Sequence, residues 1–141
     1  MRVLIFLPRF VGPIQEGTKR QTIRKARRSH PIQPDDWLSL RRWHGKPYRS
    51  CQEEIIPAVQ CEAVRPIRIR LNPHRNELVI GIGSGLHAHL LTQDGPNEVA
   101  SFVRADGFAC VSDFVDHWAA SGVMAFEGVL IEWAERPGGG E

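Results

Sequence analysis

Cysteine is scarce in this 141-residue chain: Cys51, Cys61 and Cys110 are an odd number, and none stands close to another. That excludes a disulfide framework and a CxxC zinc ribbon, and it points to a reducing compartment, with the cytoplasm as the expected location. Long apolar runs are also missing. Residues 3–7 are apolar but are followed at once by Pro8 and Arg9. The run is too short to span a bilayer and reads as a buried first strand. Met1-Arg2 ahead of it lacks the pattern of a signal peptide, so no membrane association is expected. With 42% hydrophobic and 24% charged residues the composition is that of an ordinary globular domain. Repeats and linkers are absent. One domain is expected over residues 1–135, followed by a disordered Pro/Gly-rich tail at 136–141.

Acidic residues are nearly absent from one stretch. Between Lys19 and Arg49 ten Lys and Arg face only Asp35 and Asp36, a net of +8. From Asp94 to the end nine acids face Arg104 and Arg136, a net of −7. A concentrated positive field attracts polyanions and speeds their encounter, so the basic segment predicts an anionic partner such as RNA or a nucleotide.

The pattern along the chain predicts an α+β order. Residues 2–7 read as a strand. Residues 10–16 have room for a short helix, interrupted by Pro13 and stopped at Gly17. Thr22-Ile23 suits extended structure, and 25–36 reads as a loop. Trp37, Leu38 and Leu40 begin a strand that runs into Arg41-Arg42-Trp43, and 44–48 form a second exposed loop. Ile67 and Ile69 alternate with Arg68 and Arg70, residues 72–76 make a turn, and 77–82 are the partner strand. Gly81, Gly83 and Gly85 alternate with Ile82 and Ser84, but no helix N-terminus follows. That rejects a phosphate loop or dinucleotide fingerprint in favour of a strand end or bulge. Pro96 opens a helix with Val99, Phe102 and Val103 on one face, ended by Gly107. Ser112 is expected to cap a second, with Val111, Phe114, Val115, Trp118 and Ala119 as its apolar stripe and Gly122 at its end. Residues 126–133 are the last strand. The sheet is expected to curl towards a small barrel. Trp37, Trp118 and Trp133 are assigned to the core, and Cys51 and Cys61 to buried apolar sites.

The densest candidate for chemistry is Gly17-Thr18-Lys19-Arg20-Gln21-Thr22-Ile23-Arg24. Gly17 lets the chain turn sharply, and the residues after it supply cations, an amide and hydroxyls that suit a phosphate or a polarised carbonyl. A lysine crowded by Arg20 and Arg24 has a depressed pKa, and a neutral Lys19 is a base able to activate the Thr22 hydroxyl. One geometric objection applies: in a regular strand, positions three apart point to opposite faces. Asp106 continues the phase of Val99, Phe102 and Val103, which points it inward at a helix C-terminus. There it calls for a cation such as Lys19 or Arg24, although an Asp-Gly turn in solvent accounts for it equally. Trp43 and Tyr48 sit in a basic loop region where they could stack on a base. His87 and His89 would share a strand face as metal ligands could, but no third ligand has suitable spacing, so neither metal nor cofactor is expected.

Arg9-Phe10, Ile14, the Gly-x-Lys-x-x-Thr-x-Arg run at 17–24, and Pro34-x-Asp36 before Trp37-Leu38 together resemble the ASCH domain family. Phe102, Ala105-Asp106-Gly107-Phe108, Phe114 and Phe126-x-Gly128-x-Leu130-Ile131-x-Trp133 fit the same pattern, so the resemblance covers most of the chain. It looks closest to stand-alone versions from bacteriophage and prophage genomes. The resemblance implies a PUA-like fold, a small mixed β-barrel flanked by short helices, and binding of RNA or a modified nucleoside or nucleotide. The implied site comprises Arg9, Gly17, Arg20, Gln21 and Arg24, joined by Trp43 and Tyr48 from the reading above. One branch of the family removes an acyl group from the N4 amine of cytidine with a lysine and threonine spaced like Lys19 and Thr22. Its third residue is a glutamate, for which the nearest match here is Asp106, one methylene shorter. The first expectation is therefore an RNA- or nucleotide-binding domain. The second is an amidohydrolase of N4-acetylcytidine type, with Thr22 as nucleophile, Lys19 as base and Asp106 as acid. An RNA nuclease and a phage protein docking on a host partner are further alternatives.

Overall fold

The structure, a computed structural model, describes residues 1–75, 77–83, 89–92 and 98–134. The elements in chain order are β1 (Arg2–Ile5), a 3-10 turn (Pro8–Phe10) running into α1 (Val11–Glu16), β2 (Gln21–Arg24), β3 (Trp37–Trp43), β4 (Gln52–Glu54), β5 (Val59–Asn72), β6 (Glu77–Ile82), β7 (His89–Thr92), α2 (Glu98–Ala105), α3 (Val111–Ala120) and β8 (Ala125–Trp133). The architecture is mixed α+β, with eight strands in one sheet among the described residues. Among the described residues, no helix is long and apolar enough to cross a membrane.

β5, at 14 residues, is the spine. Its start pairs with β3, its middle with β8 and its end with β6, all antiparallel, and a bulge between Cys61 and Ala63 re-aims it between the first two partners. β3 carries β1 in parallel and β4 antiparallel, β8 carries β2, and β6 carries β7. The path therefore curls from β2 through β8, β5 and β3 to β1. It does not close, because no register joins β1 to β2 among the described residues.

The strict alternation of side chains decides what covers each face. Ile67, Ile69 and Leu71 of β5 stand opposite Ile82, Ile80 and Leu78 of β6, all buried in one apolar cluster with Val103, Phe114 and Leu130. α2 and α3 supply Val99, Phe102, Val103, Phe114 and Val115 to this cluster, so their helical stripes pack as the sequence predicts. The opposite side of β5 carries Arg68 and Arg70 to solvent, and Arg68 pairs with Glu127 at 3.4 Å. Each large apolar side chain buried this way contributes roughly 1.5–3 kcal/mol.

Several expectations are corrected. Trp37 is 52% exposed, because Leu38 and Leu40 occupy the inner face of β3 and leave position 37 on the other side. Cys51 is exposed just before β4, a short strand that the sequence reading assigned to no element, whereas Cys61 is buried as expected. Ser112 is not the cap of α3. Cys110 holds that position, and Asp113 inside the first turn accepts from the Ala109 N–H at 3.2 Å. Pro13 does not interrupt α1, since it sits in the first turn, where its missing N–H costs no helical bond. β1 ends at Ile5, two residues earlier than predicted, and β2 extends the expected Thr22-Ile23 by one residue at each end. Gly85, His87, Pro96 and the tail at 136–141 lie outside the described residues.

Candidate functional site

Gly17 closes α1 in the left-handed region, φ 85°, and turns the chain back toward the sheet. Residues 18–20 then run outside regular strand pairing. The Lys19 N–H donates to the Pro13 carbonyl at 3.0 Å and the Arg20 N–H to the Ala105 carbonyl at 2.9 Å. Strand geometry begins only at Gln21, so the rule that puts positions three apart on opposite faces does not govern Lys19 and Thr22. Both line one cavity of about 260 Å³, together with Arg24 and Asp106.

Lys19 enters this cavity over the Phe10 ring, its ammonium 4.5 Å from the centroid and 5.6 Å from that of Phe6. The other half of the site comes from the end of α2. Asp106 follows the helix and Gly107 breaks it at φ 100°. A Cβ on Gly107 would stand 2.8 Å from both Lys19 Cδ and Phe10 Cδ1, so glycine is required for conformation and for space. Lys19 Nζ donates to the Asp106 carbonyl and lies 3.8 Å from its Oδ1. The two side chains are 2% and 6% exposed, which makes this a buried ion pair. Among the described residues Asp106 Oδ1 has no hydrogen-bond partner, while Gln21 hydrogen-bonds to the carboxyl.

Burial dominates the electrostatics. It holds the Lys19 ammonium down at about pKa 8, against the pull of Asp106 and with the help of Arg24. It pushes the Asp106 carboxyl up to about 6, opposed first by Lys19 and then by the Gln21 hydrogen bond. A buried amine that loses its proton near pH 8, a hydroxyl and a carboxyl thus share one small space. Thr22 Oγ1 receives the Arg24 Nε–H at 3.3 Å, and the Arg24 guanidinium reaches across to the Ile5 carbonyl at 2.7 Å.

The walls are aromatic. Phe6, Phe10, Phe108, His117 and Trp118 line the cavity, and Phe10 and Phe108 meet edge to face at 5.4 Å. His117 was missed in the sequence. Burial and then Arg9 hold its pKa below the ordinary histidine value, which favours the neutral ring. Its signal was the phase of α3, three residues after Phe114 on the same stripe. Trp118 Nε1 is buried and, among the described residues, has no hydrogen-bond partner, a second orphaned polar atom in this wall.

The other expected site residues lie elsewhere. Arg9 pairs with Asp113 at 2.7 Å and lies over Phe108, lining a neighbouring cavity with Arg104 and Gly107. Gly17 shapes the turn and is exposed. Arg20 is exposed, and its carbonyl accepts from the Trp133 N–H at 3.1 Å. Gln21 is buried behind the cavity, its amide 3.4 Å from the Phe102 carbonyl. Trp43 and Tyr48 lie in the hairpin between β3 and β4, outside the cavity wall. Their ring centroids are 5.1 Å apart, and Tyr48 is 89% exposed at φ 64°. Arg42 and His44 in the same hairpin both contact Glu53. His89 pairs with Glu98 at 3.2 Å, and among the described residues no three His, Cys, Asp or Glu are grouped to hold a metal. The chain matches no family model, no curated protein and no solved structure.

Proposed function

We propose that this chain is a PUA-like domain of ASCH type whose aromatic cavity takes the base of a modified nucleoside or nucleotide. The observation that carries this reading is the buried Lys19–Asp106 pair inside a cavity of about 260 Å³ walled by Phe6, Phe10, Phe108, His117 and Trp118. A planar heteroaromatic ring matches both features: its faces pack on aromatic walls and its polar edge answers fixed charges and orphaned donors and acceptors. The open curl from β2 to β1 is compatible with a barrel that the ligand side leaves unzipped. Titration calorimetry with cytidine and N4-acetylcytidine tests the reading. Saturable binding that Phe10→Ala weakens is expected, and no binding of either compound removes it.

A specific observation also favours catalysis: a lysine held at about pKa 8 shares the cavity with the Thr22 hydroxyl. In this second reading neutral Lys19 takes the Thr22 proton as the oxygen attacks the acyl carbonyl of an N4-acylated cytidine. Lys19 then gives that proton to the departing amine, and the acyl group is left as an ester on Thr22. Water hydrolyses the ester, releasing the carboxylic acid and restoring the hydroxyl. Asp106, ionised above about pH 6, holds the ammonium that forms between the two proton transfers. Release of cytidine and acetate from N4-acetylcytidine is the expected result, and an inert protein reduces the function to binding.

RNA is the larger ligand of the same chemistry. The exposed, basic Trp43–Tyr48 hairpin supports a stacking contact with a flanking base.

A further inference from the structure

β1 and β2 share no backbone ladder among the described residues; two cavities, each lined by residues of both strands, meet at Arg24 and together make up a groove. Its inner half is the aromatic cavity, bounded by Ile5, Phe6 and Leu7 on one side and Thr22 to Arg24 on the other. Its outer half is a second cavity of about 230 Å³, bounded by Val3 and Leu4 on one side and by Arg24, Ala26 and Arg27 on the other. Arg24 is the one lining residue the two halves share. Its side chain crosses the groove, held at Thr22 Oγ1 and at the Ile5 carbonyl.

The chemistry of the outer half differs from that of the inner. Among the described residues its lining holds no carboxylate and no aromatic ring; the two charged residues are Arg24 and Arg27, set among small and aliphatic side chains. Neither arginine has an ion pair among the described residues. The bonds to Thr22 and Ile5 use two of the five guanidinium N–H donors of Arg24, leaving three for a ligand. Burial lowers the Arg24 pKa against the pull of Asp106, and the charge of Arg27 lowers it further, so an anion between the two guanidiniums relieves a repulsion already present. Planar forks of this kind suit a phosphate.

We propose that the groove binds a nucleoside monophosphate lengthwise, with the base in the aromatic half and the phosphate in the outer half between the Arg24 and Arg27 guanidiniums. The inference rests on the base-binding reading above and adds the phosphate to it. The ribose then crosses over the Arg24 side chain, the one part of the groove that belongs to both halves. Lys19 and Asp106 serve the base, and Arg27 serves only the phosphate.

Binding of cytidine, cytidine 5′-monophosphate and their N4-acetyl forms to the full chain tests this, using wild type and Arg27→Gln. Arg27 is exposed, so its replacement leaves the core intact. Wild type is expected to bind the monophosphates about tenfold more tightly than the nucleosides, the size of one charge-assisted contact. Arg27→Gln should reduce that advantage to about threefold or less while leaving nucleoside affinity unchanged. Ala26→Glu, which adds an anion to the outer half, should make the monophosphates the weaker ligands. Nucleoside binding with no phosphate advantage overturns this inference and leaves the base-binding reading standing. Equal losses for nucleoside and monophosphate in Arg27→Gln also overturn it. If neither kind of ligand binds, both readings fall together.

Discussion

The basic segment sends its cations into two unlike environments. Lys19 and Arg24 turn inward, where burial lowers the pKa of each, the Lys19 ammonium donates to the Asp106 carbonyl and the Arg24 guanidinium to Thr22 Oγ1 and the Ile5 carbonyl. Lys46 and Arg49 stay in water beside Tyr48, on a hairpin tip with little packed beneath it. The first pair has had its charge converted into chemistry, a proton that can leave near neutral pH and a fixed fork. The second retains only Coulomb attraction, which salt screens. A run of Lys and Arg read as one surface is therefore two devices, and perturbing them separately should give different signatures.

The largest difference should appear in turnover. Lys19→Ala and Thr22→Ala should each lower hydrolysis of N4-acetylcytidine by about 10³-fold or more, since base and nucleophile act as a unit. Lys19→Arg should be as damaging, because a guanidinium keeps its proton. The wild-type rate should rise with pH and level off above about 8, where Lys19 becomes neutral. Equal activity in Lys19→Arg would leave position 19 as a clamp and erase the contrast with the hairpin.

Stability should separate the two regions next. Asp106→Ala leaves the Lys19 ammonium buried without its carboxylate and should cost about 3 kcal/mol in denaturant unfolding at pH 7. The pH dependence has a definite sign. The folded Asp106 binds its proton up to about pH 6, above its unfolded value, so its contribution falls as pH rises from about 4 to about 6. The folded Lys19 gives up its proton at about 8, below its unfolded value, so its contribution rises as pH climbs from about 8 to about 10.5. The pair is least favourable to folding between these windows, while it is fully ionised, and the double variant Lys19→Met/Asp106→Asn should flatten both slopes.

Gly107→Ala should cost about 2 kcal/mol from its left-handed backbone and its clash with Lys19 and Phe10, measured by the same unfolding midpoint. The smallest effect belongs to the hairpin. Tyr48→Ala should leave stability within about 0.5 kcal/mol. It should weaken single-stranded RNA binding by about 1 kcal/mol in a titration whose affinity falls steeply with salt. A Tyr48→Ala protein that binds RNA unchanged would remove the hairpin from the ligand path.

How much of this could be read from the sequence follows from the range of each interaction. Helical stripes and the Ile-Arg alternation of β5 are local periodicities, and they stand where the pattern puts them. Gly17 marked its turn because a left-handed residue ends a helix within a few positions. The meeting of Lys19 with Asp106 spans 87 residues, and the inward phase of Asp106 was its only local trace. Trp37 was misplaced because a tryptophan on an apolar strand looks like core until the opposite face is known to be the buried one. Ser112 was misread by two residues, since a cap is defined by backbone geometry that residue type only biases. His117 and Trp118 went unread as cavity residues, and the gap between β1 and β2 left no signal, because strand neighbours are set by the whole sheet path.

The loop between β2 and β3 belongs to neither ladder nor helix, and a handful of contacts hold it. Arg2 donates to the His30 carbonyl, the Gln33 N–H to the Asp36 carboxylate, and the Asp35 N–H to the Cys61 carbonyl. It supplies Ala26, Arg27, Pro31 and Ile32 to the outer half of the groove and nothing to the inner half. Substitutions in this loop can therefore accumulate without disturbing Lys19, Thr22 or Asp106. The lining of the outer half can change with the loop while Lys19, Thr22 and Asp106 keep their places.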